Sequence, residues 1–374
     1  MRAGPGSHGF ALAVAVFALA LIAALLAGMF FAAHQELRLG RNALGMERAF
    51  AAAEGGVGAT LATWSPAKLN ALGEWRSSPF AGTLPAGTGE YAGVVTRLNQ
   101  TLFLVRATGR DGGGTAQRTV AQLARLVPAA LDVTAALTLT GRLEMAASSV
   151  ISGEDHAPEG WACPPEVAGA GVRIRDPALI VSADCPPASC IGGSPAVRRD
   201  SALGDSAFGR AYEASWNELA ALAARRYPDG SGPVTDVSPV GTATSCDSSA
   251  SGNWGDPASP PVVAGCTHYL PITRAEGSLR VSGGSGQGVL LVQGDLVVEG
   301  GFQFRGVLLV RGTLSILAGG GRLVGAVEAG NVVLRPGIPS GSAEIVYSSC
   351  AVRAALLQNA GAAPLAPRGW AELY

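Results

Sequence analysis

Phe10-Ala-Leu-Ala-Val-Ala-Val-Phe-Ala-Leu-Ala-Leu-Ile-Ala-Ala-Leu-Leu-Ala-Gly-Met-Phe-Phe-Ala-Ala33 holds no charged residue, no proline and a single glycine, Gly28. Coiled as a helix at about 1.5 Å per residue it reaches roughly 36 Å, enough to cross a hydrocarbon core of about 30 Å. The stretch 10–33 reads as a membrane span. After it, Leu37, Leu44, Phe50, Val57, Leu61 and Trp64 recur near helical offsets among Arg, Glu and Gln, so residues 34–64 continue as an amphipathic, extracytoplasmic part of the same helix. Gly40, Gly45, Gly55, Gly56 and Gly58 each weaken it by up to about 1 kcal/mol relative to Ala, which predicts a bendable segment. Ser65-Pro66 ends it. A cleaved secretory signal is the alternative, but its apolar core is usually about 7 to 15 residues. No Ala-x-Ala site follows this run before His34.

Ahead of the span, residues 1–9 are short and polar, carry Arg2 and His8, and end in Gly9 directly before Phe10. This leader, with Ala52-Ala53-Glu54-Gly55-Gly56 at its distance from the apolar run, resembles a type IV prepilin, and the later segment is similar to the Ala-Ala-Glu-Ala-Gly stretch of PilX-type minor pilins. The resemblance implies that prepilin peptidase cuts after Gly9 and methylates the new amino group of Phe10, and that the helix packs with other pilins. Major pilins carry Glu at the fifth mature position; Val14 stands there in this chain. A carboxylate in the span costs on the order of 2.5 to 3.5 kcal/mol to insert, and is kept only where a partner neutralises it. The K-type pseudopilin at the tip of type II secretion fibres also lacks it, so Val14 implies a tip or initiating subunit.

Arg38, Arg41 and Arg48 after the span outnumber Arg2 before it, which by the positive-inside count favours the opposite orientation. The cysteines decide the matter. Cys163, Cys185, Cys190, Cys246, Cys266 and Cys350 all follow the span, and an even number suits an oxidising compartment with up to three disulfides and 15 possible pairings. The expected location is the inner membrane, single-pass, with the C-terminal part outside the cytoplasm. Cys246 and Cys266 flank Asn253-Trp254-Gly255-Asp256-Pro257 and are the first expected pair; Cys185 and Cys190 pair with each other, or one of them with Cys163.

The 374 residues are 48% hydrophobic, sufficient for a sizeable core and about two domains beyond the anchor. The formal net charge is -1 and no Lys/Arg cluster exceeds a pair, so no electrostatic footprint for nucleic acid exists. Residues 65–130 predict a small pilin-like antiparallel meander. Its strands are 90–98, 101–109 and 115–127, with 66–88 a connector.

Farther on, Gly288-Val-Leu-Leu-Val-Gln-Gly294-Asp-Leu296 recurs 18 residues later as Gly306-Val-Leu-Leu-Val-Arg-Gly312-Thr-Leu314, and a weaker copy begins at Gly325-Ala-Val. Short β runs bounded by Gly at that period predict a β-solenoid over 274–348. Residues 131–154 share the alternation and are expected to supply the first rungs. Residues 155–273 then form a Cys-rich insertion containing an amphipathic helix over 212–227, and 349–374 a C-terminal cap. The Asp155-His156, Trp161 and Cys163-Pro-Pro cluster, the repeat and the Arg368-Gly-Trp-Ala-Glu-Leu-Tyr374 ending together resemble large PilX-domain proteins with a β-solenoid passenger. The fold class is therefore α+β: a long transmembrane pilin-like helix, a small antiparallel sheet, and a β-solenoid with a disulfide-containing insertion.

Enzyme signatures are weak. Gly4-Pro5-Gly6-Ser7-His8-Gly9 lacks the preceding strand of a nucleotide site, and Gly204-Asp205-Ser206 lacks both a strand and an Asp-x-x-His partner. Glu154-Asp155-His156 with Cys163 is better read as turn and disulfide than as metal site. Asp295, Glu299, Arg305, Arg311, Glu328 and Arg335 lie scattered through the repeat and form no carboxylate ladder. No cofactor and no metal are expected. The expected function is a non-enzymatic minor pilin or pseudopilin of a type IV pilus or type II secretion pseudopilus. The alternative is a single-pass surface-anchored β-solenoid binding protein, an adhesin or glycan binder; a hydrolase is weaker.

Overall fold

The computed structural model describes residues 8–85, 89–114, 116–146, 148–164, 167–183, 185–337, 341–365 and 369–373, with only the backbone at 8, 9, 207 and 208. The chain forms two compact units. One comprises residues up to Thr63, Glu74–Arg125 and the tail from Pro364; the other comprises Trp64–Gly73 and Leu126–Ala363.

The first unit is built on α1 (His8–Ala62), which runs without a break. Its second half lies on an antiparallel sheet of β1 (Ser77–Thr83), β2 (Gly89–Arg97), β3 (Leu102–Asp111) and β4 (Gln117–Val127) in the order β1-β2-β3-β4. Along β3, Phe103, Val105 and Ala107 alternate as buried residues, the period of two that turns one strand face to a core. Between β2 and β3 the Asn99 carboxamide oxygen accepts from the Thr101 and Leu102 amides, each at 2.9 Å, and so closes the turn.

The connector expected at 66–88 contains a strand. β1 was hidden by Pro79 and Gly82, and an edge strand tolerates Pro because one side of its backbone needs no donor. The tail is also a correction: Trp370–Leu373 does not cap the repeat but pairs antiparallel with β4, Trp370 opposite Gln122. Arg118 holds Glu372 at 2.8 Å, and the Trp370 ring meets Phe50 edge-on at 6.0 Å.

In the second unit the repeat becomes parallel pairing within one large sheet. Leu279–Ser282 pairs with Leu296–Glu299, and Leu296–Val298 with Leu314–Ile316; Ser285–Val292 pairs with Gln303–Val310, and that segment with residues of Gly321–Leu334. Gly288 faces Gly306 and Gly306 faces Gly325. Each has a positive φ (107°, 135° and 140°). A Cβ on Gly306 would strike the Gly288 carbonyl oxygen and one on Gly325 the Gly306 carbonyl oxygen, so glycine recurs where the chain turns this corner.

The Val-Leu-Leu-Val runs that follow are apolar throughout because both faces are covered. Leu290, Val292, Leu308 and Val310 point into the core enclosed by the ladders. Val289, Leu291, Val307 and Leu309 point the other way, under Trp216, Leu219 and Ala220 of the helix Ser206–Ala221 and Val352, Ala355 and Leu356 of the helix Ser349–Gln358.

The order of strands overturns the expected insertion. From one end the stack runs Val197–Arg199, Ala170–Ile174, Ala135–Leu139, Gly321–Leu334, Phe302–Ile316, Leu279–Val292, Ile272–Ala275 and Arg225–Tyr227. Residues 155–273 thus supply strands at both ends, and 135–152 sits in the middle. The chain starts there, advances outward to Arg199, crosses by the helix Ser206–Ala221, and re-enters at the far end. From Arg225 it winds back until Gly321–Leu334 and Ala343–Tyr347 meet Ala135–Leu139, Leu143–Met145 and Ser149–Ser152. The expected helix over 212–227 begins and ends six residues earlier, at Ser206–Ala221, and Arg225–Tyr227 is a strand.

Disulfides join Cys163 to Cys350, Cys185 to Cys190 and Cys246 to Cys266. The first, spanning 187 residues, was not among the expected pairs, because nothing in local spacing marks it. It becomes intelligible once the last strands of the parallel stack are seen to lie beside its first.

Candidate functional site: the exposed half of the long helix

α1 has two halves of different character. In the second, Gly45, Ala49, Ala52, Ala53, Gly56 and Val57 are buried, a stripe of small residues at helical spacing that lets the helix backbone approach the sheet. A Cβ on Gly109 of β3 would collide with the Ala49 carbonyl and the Ala53 amide, and one on Gly56 with the Tyr91 ring. The Ala52-Ala53-Glu54-Gly55-Gly56 segment is therefore a packing surface, with Glu54 pointing to solvent. Gly45, Gly55 and Gly56 serve close approach, and the helix runs through them without a break.

The first half is uncovered. Phe10, Leu12, Val14, Val16, Phe17, Leu19, Leu25, Met29, Phe30 and Phe31 are all exposed, and the helix is long and apolar enough to cross a membrane. Val14 is an uncovered aliphatic side chain, half exposed at 50%; it offers no charge to pair. Gly9 and Phe10 are both helical, Phe10 exposed, whereas residues 1–7 of the expected leader lie outside the described residues. Leu37, Leu39, Leu44 and Met46 extend the exposed apolar surface past the span, among Glu36, Arg38, Arg41, Glu47 and Arg48.

Most of the other residues considered for chemistry are held by structural partners, and no group of three or more His, Cys, Asp or Glu that could hold a metal forms among the described residues. Asp155 accepts from the Ser349 amide (2.9 Å) and hydroxyl (2.7 Å), capping the helix Ser349–Gln358 beside Cys350. His156 Nδ1 lies 2.8 Å from the Glu154 carbonyl oxygen. Asp205 is the residue before the helix Ser206–Ala221. Asp295 accepts from the Thr313 amide at 2.7 Å, one rung onward. Glu299 holds Arg280 at 3.2 Å, and Glu144 holds Arg335 at 2.7 Å. Arg311 lies over the Trp216 ring at 4.4 Å and grips Glu213 at 2.5 Å; Arg305 donates to the Glu159 carbonyl at 3.2 Å. Glu328 differs: it is half-buried, with no ion pair or hydrogen bond among the described residues. In the sequence it is one of the scattered charges of the repeat, and nothing local marks it as different from the others.

No protein-family model matches the chain, and no curated protein matches it. Among solved structures it is similar to the crystal structure of competence-associated pilin ComZ from Thermus thermophilus, at 13% identity over 88% of this chain and 96% of that one, with a TM-score of 0.24. A superposition of that quality carries no argument about fold or function.

Proposed function

We propose that the chain is a non-enzymatic minor pilin or pseudopilin, anchored in the inner membrane through residues 10–33 with the remainder extracytoplasmic. Prepilin peptidase cuts after Gly9 and methylates Phe10. The observation that carries this reading is α1 itself, an unbroken helix that is apolar and uncovered in its first half and seated on an antiparallel sheet by small residues in its second. The uncovered half resides in lipid before assembly and among the helices of other pilins afterwards; apolar contact drives both.

Val14 supports a place at or near the tip, since a subunit with no carboxylate at this depth has nothing to pair with a neighbour's terminal amine. The parallel stack is read as a three-sided β-solenoid forming an exposed head, too bulky for another subunit to add above it, and its disulfides suit an oxidising compartment.

The mass and N-terminal sequence of the mature protein from its native membrane, with and without prepilin peptidase, test the reading. The expected chain begins at methylated Phe10, and this form disappears with the peptidase. An intact Met1, or a start beyond Ala33, removes the pilin reading and leaves a single-pass surface-anchored β-solenoid binding protein, an adhesin or glycan binder.

A further inference from the structure

The second unit closes on itself at one seam. On one side lie the last strands made, Gly321–Leu334 and Ala343–Tyr347; on the other lie the first, Ala135–Leu139, Leu143–Met145 and Ser149–Ser152. Glu328 faces Thr138 across this seam. On the outer side of the same ladder, its column runs from Leu309 through Glu328 and Thr138 to Arg173. Leu131, Asp132, Val133, Ala135, Val307 and Ala326 line the small pocket beside it.

A carboxylate with no hydrogen bond or ion pair among the described residues is out of place there, and the charged groups around it relieve it only in part. Arg173 is held by Asp132 at 2.8 Å and Asp200 at 2.6 Å. Arg311, on the adjacent strand, is engaged by Glu213 and Trp216 of the overlying helix Ser206–Ala221. From that helix Tyr212 also approaches: burial, and next the Glu328 charge, push its phenol up. Arg353 is the one charged residue of the helix Ser349–Gln358. Burial pushes the Glu328 carboxyl up to about 7, with Asp132 adding to the shift and Arg173 opposing it.

We propose that Glu328 is a proton-operated latch on this seam: protonated, it lets the two strand series and the helix Ser206–Ala221 close together; ionised, it loosens them. The carboxyl binds its proton more tightly in the folded head than in the unfolded chain. The favourable contribution is therefore complete below the unfolded value near 4.5, declines as pH rises between 4.5 and about 7, and is gone above. The switch does not depend on whether the chain enters a fibre.

Hydrogen exchange of the full chain in detergent, corrected for intrinsic rates and read at 135–139, 206–221 and 321–334, tests it at pH about 5.5 and about 8.5. Protection at these three segments should drop by about tenfold or more at the higher pH, while the sheet of the first unit holds steady. Glu328→Gln, which stays neutral, should give the same protection at both values; Glu328→Leu serves if the Gln variant does not fold. Equal protection of the unaltered chain at both pH values overturns the latch, and so does a pH dependence that survives either substitution.

Discussion

Each unit is packed internally by a different means. In the first, α1 meets its sheet where side chains are missing: Ala49, Ala52, Ala53 and Gly56 on the helix, Gly109 on β3. In the second, the parallel strands fill their core with Leu, Val and Ile, and Trp254 lies edge-on to Phe302 at 5.9 Å. One interface depends on backbone reaching backbone and the other on side chains filling space. The first should be intolerant of atoms added and the second of atoms removed.

The sharpest way to break that comparison is Gly109→Val. The new side chain would meet the Ala49 carbonyl and the Ala53 amide, main-chain atoms that have no rotamer to retreat into. A loss of about 4 kcal/mol is expected, at the upper end for one substitution. Urea unfolding in detergent measures it, and hydrogen exchange should place the damage in β2 to β4 with the parallel stack left intact. Gly28→Leu adds more atoms to the same unit, but nothing lies within 4 Å of its Cβ. It should leave folding unchanged to within about 0.5 kcal/mol. Equal effects of the two substitutions would mean that close approach is not what holds α1 to its sheet.

Leu308→Ala probes the other interface. Leu308 is 1% exposed, its neighbours in the ladder are Leu290 and Val327, and its removal leaves a cavity that the corner glycines on the same rungs cannot collapse to fill. The expected loss is about 3 kcal/mol, with the exchange damage now confined to the parallel stack. If unfolding of the first unit follows it in step, the two interfaces are not independent and the comparison fails.

The sequence exposed these two interfaces unequally. α1 was legible from its apolar run and helical spacing, and the repeat from its glycines, because each is a local constraint written at fixed intervals. Double-sided burial explains why Val-Leu-Leu-Val shows no alternation, and the period alone was enough to find the stack. The strands at 170–174, 180–182, 191–192, 197–199 and 225–227 were not legible: most are two or three residues long, and Pro and Gly surround them. Nor does a parallel ladder record in sequence which rung lies beside which. The meeting of 321–347 with 135–152 is a long-range fact, and the Cys163 to Cys350 bridge and the burial of Glu328 were illegible for the same reason. For the exposed half of α1, composition spoke directly, since uncovered apolar residues need no partner within the chain to be recognised.

The smallest expected effect tests whether polar anchoring matters in the second unit beside its apolar core. The Asn70 amide nitrogen donates to the carbonyl oxygens of Leu357 (3.0 Å), Gln358 (3.0 Å) and Ala360 (2.9 Å), at the end of the helix Ser349–Gln358 where carbonyls lack helical partners. Its own oxygen accepts from Trp64 Nε1 at 2.8 Å, and the residue is 2% exposed. Asn70→Ala removes a buried donor from these carbonyls, of which that of Leu357 also accepts from the Ala360 amide at 3.2 Å, and should cost about 1 to 2 kcal/mol. Asn70→Asp distinguishes the two roles of the side chain. It keeps an acceptor for Trp64 but turns a negative charge toward carbonyl oxygens at the negative end of a helix. If donation to the helix end is what matters, Asp is worse than Ala in urea unfolding. An Asp variant as stable as the parent would assign the contribution to Trp64 and leave the helix held by Asp155, the Cys163 to Cys350 bridge and its apolar face.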